Sequence, residues 1–208
     1  LRVEFPPAVP NCYALCDIAN GWVRHECRAN DAASMAKYEV PVQRYMAIVN
    51  ENGGVALFND CKYGACVQRG TLDLALLRSP RYPDETADIG CHRMSYALHA
   101  FCDFNAMRLR AAAFNQPPRL LAAAFDGLPV TVESASVVMT ACKKAEDSDA
   151  LIVRLVETAG MPGEARLLPR HPATAVTECN LLEDGLSPAP EVLHFRAFET
   201  KTVRFSNG

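Results

Sequence analysis

"GGVALFNDCKYGACVQRGTLDLALL" occupies residues 53–77, and its reading decides the fold. The apolar residues come in short runs broken by turn residues, not at helical spacing. Leu72, Leu74 and Leu76 alternate with Thr71, Asp73 and Ala75, which is the period of a strand with one buried face. "GVALF" (54–58) reads as a strand, and "NDCKYG" (59–64) as the turn that follows it. A loop needs polarity, but it does not need an amide, a carboxylate, a thiol, an ammonium and a phenol in succession. That set marks the turn as the first candidate for function.

The same pattern continues outward. Leu151, Val153 and Leu155 alternate with Ile152, Arg154 and Val156, and "SYALHAF" (95–101) and "SVVMTAC" (136–142) are strand-like. Fourteen prolines argue for many turns and few long helices. One Ala- and Arg-rich stretch, "NAMRLRAAAF" (105–114), reads as a short helix stopped by "NQPP", whose prolines remove donors and restrict Gln116. The expected fold is all-β, an antiparallel β-sandwich followed by a smaller C-terminal one. The boundary is expected near residue 130, giving domains 1–130 and 131–208.

Composition sets bounds on function. Of 208 residues, 50% are hydrophobic and 22% charged, so an ordinary core is expected. Net charge is −3 and no basic run exceeds two residues, which argues against a nucleic-acid partner. No segment approaches the roughly 20 apolar residues of a membrane helix, so no membrane partner is expected. The chain opens "LRVEFPPAVP" without an initiator Met, and is read as a piece of a longer protein. Nine cysteines lie at 12, 16, 27, 61, 66, 91, 102, 142 and 179 with no C-x-x-C among them. Only Cys12 and Cys16 have metal-ligand spacing, and no second pair follows. Reduced cysteines in a cytosolic protein, a metal site and secreted disulfides are the three readings, and no metal ligand is assigned.

Residues 53–98, "GGVALFNDCKYGACVQRGTLDLALLRSPRYPDETADIGCHRMSYAL", resemble the C-terminal region of family 38 glycoside hydrolases, the class II α-mannosidases, in their cytosolic-type and bacterial branch. Further blocks resemble that branch in order: "MAKYEVP" (35–41), "FNQPPRLL" (114–121), "VVMTACKKAEDSDALIVRLVETAG" (137–160), "CNLLED" (179–184) and "FRAFETKTVRF" (195–205). Two places depart from the family pattern. Ser34 and Met35 stand where the family has Trp-Asp, and Cys91 and Arg93 stand where it has Arg and Glu around its His.

The resemblance implies a galactose-mutarotase-like supersandwich for the first domain. It implies a parent enzyme that is a zinc-dependent, retaining α-mannosidase, in which two carboxyl groups flank the scissile bond. The zinc and the nucleophile would lie on an N-terminal α/β barrel that this chain lacks. This chain would then be non-catalytic, cytoplasmic, packed on that barrel, and serving a mannose-containing oligosaccharide through it. The alternative is an independent carbohydrate-binding β-sandwich.

The turn is then the candidate pocket rim. Asn59 and Asp60 would meet sugar hydroxyls, and Lys62 would donate to them or hold a carboxylate. Tyr63 would stack on a sugar face. His92 is the fifth rim candidate. The bland reading of the turn is a plain loop in which Asp60 caps and Lys62 is solvated. The acidic loop 82–88, with Asp84, Glu85 and Asp88, reads as turn and cap chemistry. "KKAEDSDA" (143–150) reads as a charged turn, and Glu199 and Lys201 as the solvated face of the last strand.

Overall fold

The computed structural model describes residues 1–208 except 29, 119, 121, 123–126, 207 and 208. The chain divides into two units, residues 1–119 and 120–208. Arg119 and Leu121 of the "FNQPPRLL" block lie outside the described residues. Among those described, no helix is long and apolar enough to cross a membrane.

Among the described residues, the first unit runs in the order β1 (Arg2–Phe5), β2 (Tyr13–Ile18), β3 (Gly21–Glu26), α1 (Ala32–Ala36), β4 (Val40–Pro41), β5 (Tyr45–Asn50), β6 (Gly53–Asn59), β7 (Gly64–Cys66), a short 3-10 turn (Gln68–Gly70), β8 (Leu72–Ala75), β9 (Tyr96–Phe101) and α2 (Phe104–Asn115). They form two antiparallel sheets, β1-β8-β7-β4 and β3-β2-β5-β6-β9. One core joins the sheets: Cys16, Met46, Ile48 and Leu57 from the five-stranded sheet pack with Val40, Ala65, Leu72 and Leu74 from the other. A second core covers the opposite face of the five-stranded sheet, where Ala47, Ala56 and Phe58 meet Met107 and Ala111 of α2. Both faces of β6 are therefore dry, which is why "GVALF" is continuously apolar and does not alternate.

The β5–β6 hairpin that carries the candidate turn depends on two glycines. Gly53 takes φ 126°, a conformation L side chains rarely adopt. A Cβ on Gly54 would overlap the Ile48 carbonyl oxygen.

The helix expected over 105–114 spans Phe104–Asn115. Asp103 supplies its N-cap, accepting from Asn105 N at 2.8 Å and Ala106 N at 3.1 Å. It ends at Gln116, the residue ahead of the prolines, whose N–H still donates to Ala112 O. The short helix α1 begins at a capping box made by Asp31 and Ser34.

The second unit contains β10 (Val130–Glu133), β11 (Val137–Lys144), β12 (Leu151–Glu157), β13 (Gly163–Pro169), β14 (Ala175–Cys179), β15 (Gly185–Pro188), β16 (Val192–Phe195) and β17 (Thr200–Ser206). Sheets β10-β13-β16 and β11-β12-β17-β14-β15 enclose a core of Val130, Ala165, Leu193 and Phe195 against Val153, Leu155, Val203 and Phe205. Alternation on β12 is incomplete, because Ile152 packs on the far face with Ala145 and Ala150. Buried Glu157 ends β12, and its carboxylate accepts from Ala159 N at 2.7 Å, Gly160 N at 2.9 Å and Phe198 N at 3.0 Å. Glu199 precedes β17 instead of lying on it, and accepts from Arg196 N at 2.7 Å. Lys201 pairs with Glu178 of β14 at 3.0 Å, so this face is bridged as well as wetted.

Both units are antiparallel β-sandwiches, in agreement with the all-β expectation.

Candidate functional site

The candidate turn is built from a buried anchor outward. Asp17 on β2 is 1% exposed. Its carboxylate takes both forks of Arg44, with Nε–Oδ2 and Nη2–Oδ1 at 2.9 Å, and accepts from Arg44 N at 3.0 Å. A bidentate, charge-assisted pair of this kind fixes position as well as charge. The Arg44 carbonyl then accepts from Asn59 N at 3.0 Å, which sets the last residue of β6.

Asn59 closes the turn from inside. Its side-chain amide donates to Gln43 O at 2.7 Å, and its Oδ1 accepts from Lys62 N at 2.7 Å. Its own carbonyl accepts from Asn115 Nδ2 at 3.1 Å, which ties the end of α2 to the turn. Asn59 is 2% exposed, so it shapes the turn and does not offer its amide to a ligand. That differs from the expectation for this residue, and the reason is local: an Asn that ends a buried strand satisfies the turn backbone first.

Asp60 faces solvent and is fastened to the start of β9. Its two carboxylate oxygens each lie 3.0 Å from Ser95 N. The Cys61 thiol, bonded to that carboxylate, holds the Asp60 carboxyl below the usual range, and the Ser95 amide adds to the effect against slight burial. The same bond pushes the Cys61 thiol up. Lys62 is half-buried; its ammonium opposes the rise of the Cys61 thiol without reversing it, and adds to the Ser79 and Arg78 amides and His92 that hold the Asp88 carboxyl low. Tyr63 is 65% exposed at the tip, while its carbonyl accepts from Val42 N at 3.0 Å.

His92 belongs to the neighbouring loop. Its Nε2 lies 2.9 Å from Asp88 O. Asp88 accepts from Ser79 N at 2.8 Å and Arg78 N at 3.3 Å, and Asp84 accepts from Thr86. These carboxylates cap their own loop. The structure brings Asp60, Lys62 and Tyr63 together on one turn, and links Lys62 electrostatically to the loop that His92 braces.

The arrangement presents hydrogen-bonding groups on one turn. Acid–base hydrolysis of a glycoside needs two carboxyl groups whose environments separate their pKa values. Here Asp60, Asp84 and Asp88 are all held low, so each is an ionised acceptor at neutral pH. Among the described residues, no three His, Cys, Asp or Glu side chains converge as a metal-binding group. All nine cysteines are free thiols. Lys62 supplies donors, Asp60 supplies acceptors, and Tyr63 supplies a flat apolar face with a hydroxyl, which together suit a polyhydroxylated ligand.

Comparison with known proteins agrees with the resemblance read from the sequence. Residues 1–86 match the glycosyl hydrolases family 38 C-terminal domain, and residues 136–203 match the glycosyl hydrolases family 38 C-terminal beta sandwich domain. The chain is 36% identical over 194 residues to the Homo sapiens protein named Alpha-mannosidase 2C1, across 88% of this chain and 19% of that protein. It is 28% identical over 213 residues to Alpha-mannosidase G of Dictyostelium discoideum, across 91% of this chain and 19% of that one. A crystal structure of an α-mannosidase from Enterococcus faecalis V583 superposes with a TM-score of 0.76 at 22% identity, covering 99% of this chain and 25% of that one. The chain thus spans about a fifth of the length of the curated relatives it matches, 19% in both cases. By its two matched domains and the collinear likeness around them, the chain belongs to the C-terminal region of glycoside hydrolase family 38.

Proposed function

We propose that this chain is the non-catalytic C-terminal β-sandwich portion of a zinc-dependent, retaining α-mannosidase of the cytoplasm. In this reading it comprises domains 1–130 and 131–208. It packs on an N-terminal catalytic barrel that holds the zinc, and lends that barrel a rim for a mannose-containing oligosaccharide. The rim is the turn 59–64, with Asp60, Lys62 and Tyr63 facing the sugar and His92 bracing the loop beside it.

The observation that carries the reading is the clamping of the turn. Asn59 from within and Ser95 from the side fix its backbone, while Tyr63 projects unburied. A loop with no partner has no need of so rigid a frame; a contact residue gains from it, because less side-chain and loop entropy is lost on binding.

The test is substitution in the protein that carries the barrel. Lys62→Ala and Tyr63→Ala are each expected to raise KM for an α-mannoside oligosaccharide about tenfold, the loss of one hydrogen bond or stacking contact. Unchanged kinetics in both variants would take the turn out of the pocket. Binding of the oligosaccharide by the 208-residue chain alone would favour an independent carbohydrate-binding sandwich.

A further inference from the structure

On the other flank of the first unit, β2 and β3 pair with Tyr13 opposite Glu26. Cys12 and Cys27 lie one residue beyond the ends of those two strands. Cys12 packs against the core cluster that contains Cys27, with the backbone of Gly70 close to the Cys12 sulfur. A disulfide bridges Cα separations of about 4.4–6.8 Å.

The space around the sulfurs is shaped by the turn Gln68–Gly70. Gly70 takes φ 67°, and a Cβ there would lie 3.1 Å from Cys12 Sγ. Arg69 N donates to Cys27 O at 2.6 Å, which holds the turn over the pair. Both cysteines line an open cleft of about 1200 Å³, with Arg28, Gln68 and Arg69 among its walls. Cys12 is half-buried and Cys27 is 3% exposed, so a small solute in the cleft meets Cys12 first.

We propose that Cys12 and Cys27 form a thiol–disulfide modification site, closed by a small disulfide oxidant such as oxidised glutathione. The Cys12 thiolate attacks one sulfur of the oxidant, forming a mixed disulfide and releasing one glutathione thiolate. Cys27 then attacks the Cys12 sulfur, forms the Cys12–Cys27 bond and expels the second glutathione. The two cysteine protons pass to the two released thiolates, the protein gives up two electrons, and the oxidant is reduced. Burial also pushes the Cys27 thiol up, so the first attack falls to the more exposed Cys12. The product staples the open end of the β2–β3 hairpin beside the cleft. The proposal is independent of any role in sugar binding.

The test is a thiol map of the full chain held in glutathione buffers from fully reduced to mostly oxidised, trapped with iodoacetamide and read by peptide mass spectrometry. In the oxidised buffer, alkylated Cys12 and Cys27 should fall together by about tenfold or more and reappear as one linked peptide pair, about 2 Da lighter than the sum of its reduced parts. Cys91 and Cys102, both exposed, serve as controls and should carry alkyl groups or glutathione without linking. Cys27→Ser should leave glutathione parked on Cys12. Full alkylation of both Cys12 and Cys27 in a buffer that caps Cys91 and Cys102 would overturn the proposal, as would a bond from Cys12 to any other cysteine. The wild-type map decides the matter if the variant does not fold.

Discussion

Asp60 straddles the Ser95 amide: each carboxylate oxygen lies 3.0 Å from Ser95 N, while Asp60 N donates back to Ser95 O at 3.2 Å. The pair continues the β6–β9 ladder one rung past Asn59 and Tyr96. A side chain here substitutes for a backbone acceptor, and the turn begins as an extension of the sheet. Asp60→Ala should therefore raise the exchange rate of the Ser95 amide about fivefold, the effect of losing roughly 1 kcal/mol at an exposed site. Hydrogen exchange followed by NMR reads this directly, and an unchanged rate would mean that the carboxylate does not hold the strand.

The same contact sets a pH dependence. The Asp60 carboxyl is held low, chiefly by the Cys61 thiol and then by Ser95, so its folded-state pKa lies below its unfolded value. Its contribution is present above the unfolded pKa and lost as pH falls through the folded one. The Ser95 amide shift should titrate with a midpoint below the ordinary aspartate value of about 3.9. A midpoint at or above that value would contradict the bonding described.

Asn59→Ala should destabilise the first unit by about 1–3 kcal/mol. It strips a partner from Gln43 O and from Lys62 N in a position that is 2% exposed. Asn59→Asp should be worse, because the acid cannot donate to Gln43 O. Urea titration of the variants checks both the size and the order of the effects.

Much of this frame was legible in the sequence, and the limits of that legibility are physical. The apolar run 54–58 and the Asn-Asp start of the turn are local signals, and so is the helix stopped ahead of Pro117. The partners Asp17, Gln43, Ser95 and Asn115 are not legible there, because each lies 16 to 56 residues along the chain from the group it meets. Strand periodicity says which face a residue takes, not which distant residue it meets. Asn59 shows the cost: its residue type suggested sugar contact, while its place at the end of a doubly buried strand gave its amide to the fold. The Asp31–Ser34 capping box that starts α1 is likewise a local signal.

In the second unit, Glu157→Gln should cost about 2–3 kcal/mol, because an ionised acceptor for three backbone N–H groups becomes a neutral one. Burial raises this carboxyl, but the Phe198, Ala159 and Gly160 amides outweigh it and hold it low. Wild-type stability should therefore decline as pH falls through that lowered value, and the variant should show a shallower decline. Denaturation profiles of both proteins from neutral to acid pH make the comparison.

If the turn forms a pocket rim, Asp60 and Glu85 should separate in the protein that carries the catalytic barrel. Asp60→Asn should lower turnover more than Glu85→Gln, because Asp60 orders the turn while Glu85 lies exposed on the neighbouring loop. Equal effects, or none from the Asp60 change, would remove the turn from the pocket.

The proposal that this chain supports catalysis without performing it is tested most directly by hydrolysis of a chromogenic α-mannoside by the folded 208-residue chain alone, with and without added zinc. No turnover is expected in either condition. Zinc-dependent turnover would contradict it, and would make the carboxylates of residues 60–88 the first to examine.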